Sequence, residues 1–227
     1  TITNGENAKF DYNAHYGITV NRFKINFTAT GLFSSVPGYW PDGNIKISYP
    51  HEEPTLFATG IEIIDNYVFK NMRVGIFAAG NGLVIKNNII LDEIGKKAFV
   101  SSTGRFTTTY NATLENRGID FSGWNAIVSN NYVDVRRHQF ENTQYQSTDG
   151  EGILVQECCG GTPVQDYYIT QNTMVGPNAY IGIYKTRDIN NVVIDSNNLN
   201  NNHIWVYANT NSTPFALNNT KITNNYN

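Results

Sequence analysis

Ionisable side chains collect in the middle of this 227-residue chain: Arg136, Arg137 and His138, then Asp149 and Glu151, then Glu157, then Lys185, Arg187 and Asp188. Two reactions use such a set. β-Elimination from a uronic acid needs a base for the proton next to the carboxylate and a cation to neutralise that carboxylate. Glycoside hydrolysis needs two carboxyl groups about 5–9.5 Å apart across the scissile bond. Each residue also has a plain structural reading. Asp149 and Glu151 precede a strand, where acids serve as turn formers and solvated ends, and His138 beside two arginines suits a surface loop. Lys185 is more pointed: it falls where strand alternation predicts an apolar residue, which implies a β-bulge or a partly buried amine.

The elements that must position these groups read as strands. Asparagine and aromatic residues are plentiful, the latter at 13%, whereas Ala, Leu, Lys and Glu are scarce, a balance that favours strands and turns over helices. A net charge of −3 with 15% charged residues gives no footprint for nucleic acid. No apolar run approaches the ~18 residues of a membrane span and no leader-like segment opens the chain. The adjacent Cys158 and Cys159 suit small buried hydrophobes better than a disulfide or metal site. Four sequons, at Asn26, Asn111, Asn211 and Asn218, lean towards a secreted or cell-surface protein.

Aligning the chain on apolar-x-x-Asn-x-apolar finds copies at Asn21, Asn66, Asn88, Asn131, Asn172 and Asn197, with a truncated one at Asn225. The intervals are 45, 22, 43, 41, 25 and 28 residues, so the shortest is a bare unit and the others carry insertions. Preceding most copies is a Gly-Ile strand, which puts Ile76, Ile119, Ile153, Ile183 and Ile204 on an inward face. Facing outward are Phe77, Asp120, Leu154, Tyr184 and Trp205, and then Ala79, Ser122, Gln156, Thr186 and Tyr207. Short strands stacked at this period form a right-handed parallel β-helix, a single all-β solenoid domain over residues 1–227 with loop insertions on one flank. The asparagines then serve as stacking turns, tolerating left-handed backbone and bonding the equivalent amide of the next coil.

The insertions at 26–55, 92–116 and 136–150 wall a groove along the Gly-Ile sheet, a shape suited to an extended polymer. Tyr184, Trp205 and Tyr207 form an aromatic stripe, and Trp40 in "PGYWPDG" adds a rim ring; such rings stack on sugars or on one another.

From about residue 16 onward, these Asn-x-apolar turns resemble the pectate-lyase-like superfamily of right-handed parallel β-helices, which implies a secreted protein acting on polysaccharide. "STDG" resembles the opening of the polygalacturonase motif, but the aspartate pair and the Gly-His-Gly and Arg-Ile-Lys segments are lacking. "DGEGILVQE" resembles the E-x-E strand of the alginate lyase and chondroitinase B group. That resemblance implies Asp149 and Glu151 as calcium ligands in a lyase of an acidic glycan. The family's base position falls on Gln156, so the base is expected from Lys185, Arg187 or His138, with Arg136 or Arg137 holding the substrate carboxylate and Asp120 lining the groove. The competing expectation is a non-catalytic carbohydrate-binding or adhesive module, or a fibre segment. "TITNGEN" and "KITNNYN" read as repeat sequence, so the chain is expected to be a piece of a longer protein or to stack end to end.

Overall fold

The computed structural model describes residues 19–21, 24–26, 45–47, 58–69, 74–91, 115–135, 149–156, 164–176, 179–185, 188–208 and 216–227. The described residues form strands and no helix. Fourteen strands make one curled sheet and five a second, and the strand pairings are parallel in both. None of the described segments is a helix long and apolar enough to cross a membrane.

Register confirms the repeat from Asn66 onward. Glu62 pairs with Val84, Val84 with Ile127, Ile127 with Tyr168, Tyr168 with Val193 and Val193 with Lys221. These steps keep Asn66, Asn88, Asn131, Asn172, Asn197 and Asn225 in one column. The first match fails: Asn21 pairs with Ile64, two residues short of Asn66. A short motif in an Asn-rich chain finds a chance partner easily, and strand register overrules it.

Within the column, each asparagine does one task and its predecessor another. Asp65, Asn87, Asn130, Gln171, Ser196 and Asn224 take left-handed backbone, with φ between 52° and 57°. A side chain at positive φ is strained, so this corner favours small polar residues. The residue that follows turns inward as a ladder amide. The Nδ2 of Asn66, Asn88, Asn131, Asn172 and Asn197 donates to Oδ1 of the next asparagine at 2.8–3.0 Å. The expectation gave both tasks to one residue; the structure splits them.

A second left-handed column lies five residues before the first, at Gly60, Gly82, Asn125, Asp166, Asn191 and Asn219. It bends the long Glu115–Ser129 strand, which pairs with Val74–Asn81 and Asp149–Gln156 along its first half and with Val84–Lys86 and Val164–Thr170 along its second. At the bend Gly123 has φ 124°, and a Cβ there would lie 1.8 Å from the Gly80 carbonyl oxygen, so only glycine fits. The buried Tyr167 hydroxyl donates to the Gly123 carbonyl, and its ring meets Phe121 edge-on at 5.3 Å.

Between the sheets the core runs as apolar files: Ile63, Ile85, Val128, Ile169 and Ile194 form one, and Val68, Ile90, Val133 and Met174 another, all buried. Each buried aliphatic side chain contributes about 1.5–3 kcal/mol. The Gly-Ile signature gains a cause here. A Cβ on Gly118 would lie 2.1 Å from Val133 Cγ1, and one on Gly152 would lie 2.6 Å from Met174 Sδ. Glycine lets the first strand pass close to the second sheet.

One expectation about this strand is corrected, and of the two readings of Lys185 the bulge is removed. The inward file is Ile76, Ile119, Ile153, Ile181 and Ile204, because Ile181 rather than Ile183 pairs with Ile153 and Ile204. Ile183 is also buried, one step along beside Val155. Lys185 pairs in register with Ala208, and the irregularity lies instead between Glu151 and Ile153.

Candidate functional site

The corrected register rearranges the outer residues. Phe77, Asp120, Leu154, Gly182 and Trp205 form one file, and Ala79, Ser122, Gln156, Tyr184 and Tyr207 a second. Beside them Val74, Arg117, Glu151 and Tyr180 share a third, with His203 just before the paired Ile204.

This third file carries the chemistry. Arg117 Nε donates to Glu151 Oε2 at 2.6 Å, and Arg117 Nη1 donates to Asp120 Oδ2 at 2.7 Å. The Tyr180 hydroxyl donates to Glu151 Oε1 at 2.9 Å. Asp120 is 1% exposed, Glu151 5% and Tyr180 6%. Charge-assisted bonds are short and strong when shielded from water, so the guanidinium is fixed by acids on two neighbouring strands. Asp120 thus belongs to a buried ion network, not to the open groove wall expected of it. Its strand alternation was read correctly, but this part of the sheet's outer face is covered.

From that network the site opens into aromatics. Tyr180 stacks on His203, with centroids 5.2 Å apart and planes 18° from parallel, and meets Trp205 edge-on at 5.5 Å and 61°. His203 and Trp205 lie 6.3 Å apart, and both are exposed, Trp205 by 47%. Gly182 makes this possible: a Cβ there would come within 3.0 Å of both Tyr180 Cε2 and Leu154 Cδ1. The Tyr180 ring covers the space that a side chain at 182 would fill.

Of the expected site residues, Asp120, Glu151 and Trp205 fall in this cluster, and Tyr184 lies half-buried in the adjoining file. Lys185, Tyr207 and Asp149 lie on described strands, but their side chains are outside the described set, as are Trp40, Arg136, Arg137, His138 and Arg187 entirely. Cys158 and Cys159 are outside it as well. Both carboxylate oxygens of Glu151 are bonded, to Arg117 and to Tyr180. Among the described residues no three His, Cys, Asp or Glu side chains gather as a metal ion needs.

Sequence reasoning passed over Arg117, Tyr180 and His203. The signal was present: each stands one or two residues before an isoleucine of the inward file, as Glu151 does. Compared with known proteins, the chain matches no family model, no curated protein and no solved structure.

Proposed function

We propose that this chain is a right-handed parallel β-helix that binds a polysaccharide along the outer face of its Gly-Ile sheet, outside the cell or at its surface. The observation that carries the reading is Trp205, a half-exposed indole seated against Tyr180 and His203. An exposed ring held at a fixed angle loses little entropy on binding, and the C–H face of a pyranose packs well on it. The parallel register, the ladder of one asparagine per repeat and the files of buried aliphatics support the β-helix; a long stacked sheet supports an extended ligand.

Binding without cleavage is the better-supported form. The acids of the site are engaged, Glu151 through both oxygens, which leaves the expected Asp149–Glu151 calcium pair with one member already bonded. The lyase expectation rests on Lys185, Arg187 and His138, whose side chains lie outside the described residues.

Titration calorimetry against cellohexaose, chitohexaose, hexagalacturonate and alginate oligomers tests the proposal. Binding to at least one, lost in Trp205→Ala without loss of fold, is expected. No binding across the panel, or full binding by Trp205→Ala, overturns it. The same mixtures, with and without calcium, are followed for absorbance of an unsaturated product; a steady rise would replace binding with β-elimination.

A further inference from the structure

We infer that Glu151 and Tyr180 are positioning residues that hold Trp205 ready for a sugar ring, an inference that rests on the polysaccharide reading. Asp120 and Glu151 fix the Arg117 guanidinium from two strands, and Arg117 in turn fixes Glu151 Oε2. The other oxygen of Glu151 takes the Tyr180 hydroxyl at 2.9 Å, so the phenol is tethered at its far end. With Gly182 beneath it, the tethered ring lies across the sheet and offers one face to His203 and an edge contact to Trp205.

Each link has a physical reason to be stiff. The ion pairs are shielded from water, the hydroxyl bond goes to a carboxylate, and the ring contacts restrict the tilt of the indole. The register irregularity between Glu151 and Ile153 falls at the centre of this chain of contacts. A bulge re-aims a side chain, and here it accompanies an acid that reaches both neighbouring strands. A purely structural network needs the Tyr180 hydroxyl, which satisfies a buried carboxylate oxygen, and nothing beyond it. The stacked His203 and exposed Trp205 are the parts that such a network does not need.

The ligand this platform fits is a pyranose unit presenting a patch of C–H bonds on one ring face. Ordering a loose indole on binding costs affinity, and a pre-positioned one avoids that cost.

Tyr180→Phe keeps the ring and removes the tether; Gly182→Ala keeps the tether and crowds the ring. Wild type and both variants are compared by thermal melt, by near-ultraviolet circular dichroism, and by calorimetry with cellohexaose and hexagalacturonate. The expected result is a fold kept in both variants, a reduced aromatic dichroism, and affinity for the sugar that binds wild type lowered about tenfold. Unchanged dichroism in both folded variants overturns the inference, whether or not a sugar binds, and so does unchanged affinity. Wild type that binds neither sugar while the variants lose dichroism leaves the tether established and overturns its link to glycan. If Gly182→Ala does not fold, Tyr180→Phe decides alone, since it removes a single oxygen atom.

Discussion

Replacing Asn131 by alanine tests the ladder where it is most enclosed. The Asn131 amide donates to Asn172 Oδ1 at 2.9 Å and to the Ile85 carbonyl at 3.0 Å, and its oxygen accepts from Asn88 Nδ2 at 2.9 Å and from the Asn88 backbone N–H at 3.0 Å. Alanine removes all four. The bond from the Asn131 backbone N–H to Asn172 Oδ1 survives, so the upper rung keeps a donor. The lower rung fares worse: two donors of Asn88, a residue with 0% exposure, lose their acceptor. At about 1 kcal/mol net for each of the two bonds that Asn131 donates, and about 1–3 kcal/mol for each of the two Asn88 donors left unpaired, the loss comes to roughly 4–8 kcal/mol. That is comparable to the whole stability of many domains, at about 5–15 kcal/mol.

Urea denaturation of Asn131→Ala beside Asn130→Gly and Asn225→Ala gives the measurement. Asn130 is exposed at φ 55°, where glycine relieves strain, so Asn130→Gly should be neutral or slightly stabilising. Asn225→Ala likewise takes the acceptor from both Asn197 donors and removes the bonds to the Ile194 and Thr223 carbonyls, but Asn225 is only partly buried and water replaces part of the loss, so it should cost less, about 2–4 kcal/mol. Native-state hydrogen exchange should place the largest loss of protection at Asn88 and Tyr132, beside the deleted rung, because stacked repeats pass stability chiefly to their neighbours. A cost below 1 kcal/mol for Asn131→Ala, or an equal cost for Asn130→Gly, would refute the reasoning that the amide column and not the turn is the stabilising device.

Three further outcomes follow from the same geometry. Arg117→Met takes the guanidinium from two acids at 1% and 5% exposure and should cost about 3 kcal/mol or more in denaturation; adding Asp120→Asn and Glu151→Gln should recover much of it. Gly118→Ala drives a Cβ to 2.1 Å from Val133 Cγ1 and 2.7 Å from the Gly152 carbonyl oxygen, so about 2–3 kcal/mol should be lost, and Val133→Ala in the same chain should relieve only the side-chain part of the clash. Hydrogen bonds from Thr223, then Ser196 and Asn224, hold the Asp195 carboxyl below its ordinary range. A carboxyl depressed on folding contributes stability above its unfolded pKa and loses it as pH falls through the folded value. The stability gap between wild type and Asp195→Asn should therefore be widest at neutral pH and close in acid, as read by denaturation midpoints.

What could be read in the sequence depended on whether a position needs the same residue in every repeat. A ladder amide needs an amide above and below, so Asn88, Asn131 and Asn172 are identical and their spacing betrays the stack. The left-handed corner beside it needs only a small or polar residue, and Asp65, Asn87, Asn130, Gln171 and Ser196 meet that need without repeating a letter. The second corner alternates between glycine, asparagine and aspartate, and it lies inside what reads as one unbroken strand around Asn125. The Gly-Ile register went wrong at Gly182-Ile183 for a related reason. Two isoleucines, Ile181 and Ile183, both face inward, and the glycine between them serves the outer face by admitting the Tyr180 ring.

The candidate site follows the opposite rule, which explains why its residues escaped notice. Along the file of Arg117, Glu151, Tyr180 and His203 no residue repeats; each is the complement of its neighbour, cation to anion, anion to hydroxyl, ring to ring. A column of identical residues bonds every repeat equally and can only lengthen a stack. A column of complementary residues fixes one place along the stack and distinguishes it from all others. A ligand held in one register along a repetitive structure needs such a place, because one that met every repeat alike would have no register of its own. The break in alternation at Glu151 and the exposed Trp205 stand at that place, and both belong to strands whose inward faces obey the repeat without exception.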